Sequence, residues 1–458
     1  MKSQQVALSG ADVKNSLHPY TNLSLHERVG PMVITRGEGV YVYDDTGKRY
    51  LEALGGLFCA SLGFSESRLA DAADRQMRTL PFYHAFGHKA NEPAVRLAEK
   101  LIALSPTPMS KVFFANSGSE ANDTAVKLIW YYNNAIGRPK KKKIISRARA
   151  YHGVTVASAS LTGLANNHRD FDLPILNILH TDCPHHYRYA LPGESEEAFA
   201  TRCAHSLERL IESEGPDTVA AFFAEPVMAS GGVIVPPATY FEKVQHVLRK
   251  HDVMLVADEV ITGFGRTGNL FGAQTYGMQP DMISLAKQLS AGYLPISALL
   301  ISDKIYRALT VQSEKIGTFS HGFTYSGHPV AAAVALETLR IYEDDGIVEH
   351  VRKVMPRFQQ RLAEMGEHPL VGEARGVGLL GAVELVADKS TKMPFPTEQA
   401  VAARVGEFAK QRGVITRALG DTVNFCPPLI ITESQIDEMF DKVELAMDDT
   451  MSWLASVA

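Results

Sequence analysis

Between about residues 110 and 302 the chain alternates two hydrophobic patterns. Short runs such as "KVFFAN" (111–116), "KKIISRA" (142–148), "VAAFFAEPV" (219–227), "VMLVADEV" (253–260), "MISLA" (282–286) and "ISALLIS" (296–302) are nearly continuous in apolar residues. That is how strands read when helices bury both faces. The segments between them have helical period. "TYFEKVQHVLRKHD" (239–252) puts Tyr240, Val244, Val247 and Leu248 on one face, and "SEANDTAVKLIWYYNNA" (119–135) does the same with Ala121, Ala125, Leu128 and Tyr132. This alternation predicts an α/β domain, a mostly parallel sheet covered by helices.

The two ends read differently. Residues 34–54 alternate as a hairpin with Asp45, Thr46 and Gly47 at the turn. Beyond residue 330 a long helical stretch leads into "ARGVGLLGAVELVADK" and a further helix-and-strand tail. The expected organisation is a large domain over 66–330 and a smaller α+β domain built from 1–65 and 331–458. Neither an internal repeat nor a low-complexity linker interrupts it.

A net charge of −5 over 458 residues gives no basic excess to attract nucleic acid or anionic lipid. The basic run "RPKKKK" (138–143) reads as a solvated loop entering a strand. The segment "MKSQQVALSGADVKNSL" has no signal-peptide core, and nowhere do about 18 apolar residues run together. The four cysteines, Cys59, Cys183, Cys203 and Cys426, are widely spaced, so the expectation is a reduced cytoplasmic protein without disulfides. His180, Cys183, His185 and His186 in "HTDCPHHYRY" match no zinc spacing and are read as a polar loop after the strand-like "ILNIL"; no metal is expected.

Candidate chemistry gathers where an open α/β sheet places it, at the carboxyl ends of strands. "FFANSGSEANDTAVK" runs from a strand through Ser117, Gly118 and Ser119 into a helix, and a helix amino end suits a phosphate, although a plain N-cap would look the same. "VMLVADEV" ends with Asp258. The next strand ends with Lys287, the only charge in "SLAKQLSAGYLPISALLIS" and expensive to bury unpaired. Tyr151 and His152 of "AYHG" follow another strand and offer an aromatic face. A phosphate cradle, an acid, a ring and a lysine in one crevice fit pyridoxal 5′-phosphate, with Lys287 forming the Schiff base and Asp258 keeping the pyridine nitrogen protonated. A competing motif, "GFGRTG" (263–268), matches the dinucleotide pattern but runs into "NLFGAQTYG", a poor helix start, which argues against a nicotinamide oxidoreductase.

Taken together, "NSGSEANDTAVK", "AYHG", "AEPV", "VADEVITGFGRTGNLFG", "PDMISLAKQLSAGYLPISA" and "HGFTYSGHP" resemble the class III PLP-dependent aminotransferases, in order along nearly the whole chain. Within that class the chain looks most like ω-amino acid or amine:pyruvate transaminases and pyruvate-using GABA transaminases. The resemblance implies the PLP-dependent transferase fold type I and a ping-pong exchange between a primary amine and pyruvate. It implies that Lys287 carries the cofactor, that Asp258 pairs with its ring nitrogen, and that Val260 and Tyr151 flank the ring beside His152. Ser117, Gly118 and Ser119 would hold the phosphate, and Glu225 would sit near the 3′-hydroxyl. Phe323 and Thr324 would complete the cofactor site, Thr324 from a neighbouring subunit, which implies a homodimer or a tetramer. Arg417 would pair with a substrate carboxylate, and Phe58 and Phe86 would line the amine's pocket beside Tyr151, unless they serve core packing.

Several positions depart from the family pattern. Phe58 stands where many relatives have tryptophan, Phe86 precedes a glycine, Met228, Ala229 and Ser230 replace a common Gln-Gly-Ala, and Gln288 stands where glycine is usual. The amine donor is therefore open, and a same-fold aminomutase or decarboxylase shares the lysine and the aspartate.

Overall fold

The computed structural model describes residues 2–457, so Met1 and Ala458, the outer limits of the expected small domain, lie outside the described residues. Its centre is a seven-stranded sheet of β1 (Lys111–Ala115), β2 (Lys143–Arg147), β3 (Ile178–Thr181), β4 (Val219–Ala224), β5 (Met254–Asp258), β6 (Met282–Leu285) and β7 (Ser297–Ile301). The spatial order is β1-β7-β6-β5-β4-β2-β3. Only β7 runs against its neighbours, pairing antiparallel with both β1 and β6. Every residue of β4 through β7 is buried, which explains their unbroken apolar sequence.

The helices Gly118–Ala135 and Tyr240–Lys250 bury the faces that their period marks out: Ala121, Ala125, Leu128 and Tyr132 on the first, Tyr240, Val244, Val247 and Leu248 on the second. Gly118–Ala135 begins with reciprocal capping. Ser117 Oγ accepts from the Glu120 N–H at 3.2 Å, and the Glu120 carboxylate accepts from the Asn116 N–H at 2.7 Å.

The chain ends meet in a second sheet. Strands Ile34–Glu38, Tyr41–Asp44 and Arg49–Glu52 form a three-stranded meander rather than the single expected hairpin. The extra reversal falls at Gly39. The expected turn at 45–47 is present, where Asp44 Oδ1 accepts from the N–H groups of Thr46 and Lys48. Val414–Ile415 then pairs parallel with Arg49–Glu52. A four-stranded antiparallel sheet holds Val371–Val377, Leu380–Leu385, Thr422–Phe425 and Arg417–Leu419. It lies beside the helices Ile347–Met365 and Val401–Gln411, and its Phe425 packs on Phe440 of the helix Glu433–Val457.

The segment read as a polar loop is partly regular: His180 lies within β3, and His186–Tyr189 makes a helical turn. Its candidate ligands diverge. His180 faces the Leu161 carbonyl, His185 pairs with Glu373, and His186 faces the Glu194 carbonyl. No helix among the described residues is long and apolar enough to cross a membrane.

Candidate active site

The carboxyl ends of β1, β2, β4, β5 and β6 open onto one cavity of about 940 Å³. Ser117, Gly118, Ser119, Tyr151, His152, Glu225, Asp258, Val260, Lys287, Phe58 and Arg417 all line it. Because β5 and β6 are adjacent and parallel, with Asp258 opposite Ser284, the acid and the lysine three residues further on reach the same space.

Asp258 is held on both oxygens. Its Oδ2 accepts from Asn122 Nδ2 at 2.8 Å and lies 2.9 Å from His152 Nδ1, while Oδ1 accepts from the Val260 N–H at 3.1 Å. Asn122 is itself oriented by Ser284 Oγ, which donates to its Oδ1 at 2.7 Å, and its Nδ2 also reaches the His152 carbonyl. This relay fixes a carboxylate that is 4% exposed. Asn122 and Ser284 escaped the sequence reading. The available signal was a polar residue on a buried helix face and a hydroxyl inside a buried strand.

Lys287 is partly open to the cavity but closely walled by protein. Among the described residues its ammonium makes no hydrogen bond or ion pair, and Nζ lies 5.4 Å from the centre of the Phe58 ring. Desolvation lowers its pKa from the ordinary lysine value, with nearby Cys59 and Asp258 opposing weakly. Its backbone is left-handed at φ 49°, an uncommon state for a non-glycine residue that neighbouring structure must enforce.

Gln288 supplies that enforcement. Fully buried, it donates from Nε2 to the carbonyls of Ile261 at 2.5 Å and Gly263 at 3.0 Å, and Oε1 lies 3.4 Å from Arg266 Nη2. Its own carbonyl accepts from Tyr342 Oη at 2.7 Å. The lysine turn is thereby tied to the loop that follows Asp258. The opposite side of that loop is fixed by Glu259, which accepts from Thr262, Gly272 and Ala273. The dinucleotide-like glycines lie in this clamped loop, which leads only to the four-residue helix Gly272–Thr275.

Glu225 is buried at the end of β4, accepts from the Tyr151 N–H at 3.0 Å, and is pushed by burial up to about 7. The Tyr151 hydroxyl is raised as well, by burial first and then by Tyr20. Pro19 and Tyr20 also line the cavity. Arg417 carries its guanidinium 6.0 Å from the Tyr20 ring centre and forms no ion pair among the described residues.

Three expected residues are not brought to this cavity within the chain. Phe86 is 49% exposed and lies against Gly322, Phe323 packs edge-on against Phe113, and Thr324 is exposed. They form a neighbouring surface instead.

The donors present fit a phosphorylated planar cofactor. The N–H groups of Gly118 and Ser119, at the start of Gly118–Ala135, have no intrahelical partner and sit beside the Ser117 and Ser119 hydroxyls. A Cβ on Gly118 would lie 3.0 Å from Val260 Cγ2, so a side chain there would close the gap between phosphate cradle and ring slot. A buried carboxylate waits at one end and an unpaired lysine amine at the other.

A family model described as Aminotransferase class-III matches residues 24–447. A chloroplastic gamma aminobutyrate transaminase 3 from Solanum lycopersicum is 51% identical over 449 residues, covering 97% of this chain and 86% of that one. A vanillin aminotransferase from Capsicum frutescens is 53% identical over 421 residues, 92% of each chain. Among solved structures, an omega transaminase from Pseudomonas jessenii in complex with PMP superposes with a TM-score of 0.97 at 55% identity, covering 98% of this chain and 99% of that one.

Proposed function

The chain belongs to the class III aminotransferases, a family dependent on pyridoxal 5′-phosphate, and from that premise we propose that it moves the amino group of an ω-amino acid, diamine or other primary amine to pyruvate, giving alanine. The observation that carries the assignment of roles is the meeting of Lys287, Asp258 and the Ser117–Ser119 helix start in one cavity.

Pyridoxal 5′-phosphate, when bound, supplies an electron sink for the charge left as a proton departs the substrate carbon. The chain supplies the rest. Asp258 presents a carboxylate, oriented by Asn122 and His152, to a protonated ring nitrogen. Lys287 Nζ would take the proton from the substrate carbon; its depressed pKa leaves the amine unprotonated, and so able to accept that proton, more often than a surface lysine. Ser117, Gly118 and Ser119 bind the phosphate, Val260 and Tyr151 flank the ring, and Glu225 orients groups at its hydroxyl edge. Arg417, without an ion pair among the described residues, receives the carboxylate of pyruvate through paired N–H donors. Phe58 shapes the amine pocket.

The surface of Phe86, Phe323 and Thr324 is read as facing a second copy, so that Thr324 serves the neighbour's phosphate in a homodimer; its exposure supports this. The large domain is taken as 66–330 and the small one as the two flanks, supported by the confinement of the seven-stranded sheet to 111–301 and by the sheet shared between both ends. Four unpaired thiols support a cytoplasmic setting.

The test is a donor panel with pyruvate and 2-oxoglutarate as alternative acceptors, scored by alanine or glutamate formed. Alanine should dominate. Dominant glutamate would overturn the acceptor and the role of Arg417, and carbon dioxide release without amino transfer would favour a decarboxylase.

A further inference from the structure

Imidazole and carboxylate groups able to share one cation come together three times among the described residues. In two of these groups a basic side chain already stands where the cation would. Lys250 Nζ lies 2.6 Å from Glu208 Oε1, beside Glu212 and His251. Arg375 Nη1 reaches Glu373 at 2.5 Å and Glu384 at 2.6 Å, beside His185. The third group is Asp12, His18 and His26, and among the described residues no lysine or arginine pairs with it.

These three side chains converge. Asp12 sits in the helix Lys2–Asn15, His26 in the helix Leu23–Val29, and His18 in the link between them. Nε2 of His18 lies 2.7 Å, and Nε2 of His26 3.1 Å, from the same oxygen, Asp12 Oδ2. The two rings face each other with centres 4.0 Å apart, so both nitrogens point at one spot. Tetrahedral zinc holds its ligand atoms about 3.3 Å apart, a spacing these side chains reach by small rotations. His26 is 7% exposed, whereas the His18 and Asp12 side chains keep 30% and 26% of their surface, which leaves an entry path and room for a water ligand. Two imidazoles and one carboxylate suit zinc and its neighbours; calcium and magnesium take oxygen ligands.

Tyr20 lies between the two imidazoles in the chain. Its backbone is left-handed at φ 50°, its hydroxyl accepts from Asn167 Nδ2 at 2.6 Å, and it lines the cavity against Arg417. The helix Lys2–Asn15 lies close against the end of Leu23–Val29, where a Cβ on Gly30 would come within 2.5 Å of Ser9 Oγ. We propose that Asp12, His18 and His26 bind one divalent ion of the zinc class, and that the ion ties the two helices together and so holds Tyr20 over the cavity.

The test uses the holoenzyme, freed of excess cofactor and treated with a chelator that is then removed. Zinc is titrated by calorimetry into wild type, His18→Gln, His26→Gln and, as a control from the group that Lys250 already fills, His251→Gln. Wild type and His251→Gln should each bind one zinc per chain with the same affinity. His18→Gln and His26→Gln should bind it at least about 10- to 100-fold more weakly, the loss that even an outer partner of a metal ligand causes. His18 is partly exposed, so its variant should fold as wild type does. Hydrogen–deuterium exchange of peptides within 8–30 should slow on zinc addition in wild type and not in His18→Gln. Equal zinc affinity in wild type and His18→Gln, or loss of the ion in His251→Gln, would overturn the site. Zinc lost in His18→Gln but without effect on exchange over 8–30 in wild type would overturn its hold on the segment. Neither readout needs turnover, so failure of the donor panel and failure of this site are separate results.

Discussion

Replacing Gln288 by methionine keeps the length and bulk of the side chain while deleting its hydrogen bonds. Two of these have good geometry, to the Ile261 and Gly263 carbonyls. The third, at 3.4 Å to Arg266, is too long to count for much. Arg266 keeps its hold on the Pro427 carbonyl at 2.5 Å. Each lost neutral bond contributes about 0.5–1.5 kcal/mol net, so the loop after Asp258 should open more easily by roughly 1–3 kcal/mol. That corresponds to about 5- to 150-fold faster exchange of amides protected only by local opening. The reporters are the N–H groups of Gly263, Phe264 and Gly265, which bond to the carbonyls of Glu259 and Leu270. Hydrogen–deuterium exchange of peptides spanning 259–271, compared with the helix Ile347–Met365, is the assay. Unchanged exchange in the loop, or equal acceleration in the reference helix, would refute the view that Gln288 staples the lysine turn to this loop.

Three further outcomes follow from the same structure. Glu52, Glu225 and Glu259 are each pushed by burial from 4.5 up to about 7, so the folded chain keeps protons that the unfolded chain releases. Stability of the cofactor-free protein should therefore fall as pH rises from about 4.5 to about 7, and Glu52→Gln should flatten that slope in urea midpoints; a slope identical to wild type would contradict it. Lys287 has the opposite sign of linkage, because the unfolded chain binds its proton more firmly than the folded one. Lys287→Met should accordingly raise the thermal midpoint of the cofactor-free protein at neutral pH, with the gain fading as pH approaches 10.5. Asn122→Ala removes a donor from the Asp258 carboxylate and should weaken cofactor binding about tenfold or more in a visible titration, whereas a purely structural residue would shift stability alone.

The sheet was legible because strands buried on both faces leave unbroken apolar runs, and the same logic placed Asp258 and Lys287 at adjacent strand ends. The reversal at Gly39 was hidden because the alternation continues through it on both sides. Asn122 and Ser284 were invisible as a relay: each is an ordinary polar residue until the helix and β6 bring them together across 162 positions. Gln288 stood out in the sequence without a reason. Its reason is a set of backbone carbonyls and one arginine 22 to 27 residues away, and backbone carbonyls leave no mark in a residue pattern. Phe86, Phe323 and Thr324 were associated with the site by resemblance, but the single chain gathers them on its surface.

The central claim is that Lys287 is the residue to which the cofactor is joined. Borohydride treatment of the yellow holoenzyme, followed by digestion and mass mapping, tests it directly. The account predicts that the added pyridoxyl mass falls on the peptide carrying Lys287 and is lost in Lys287→Ala. A label on another lysine, or one retained in that variant, would contradict it.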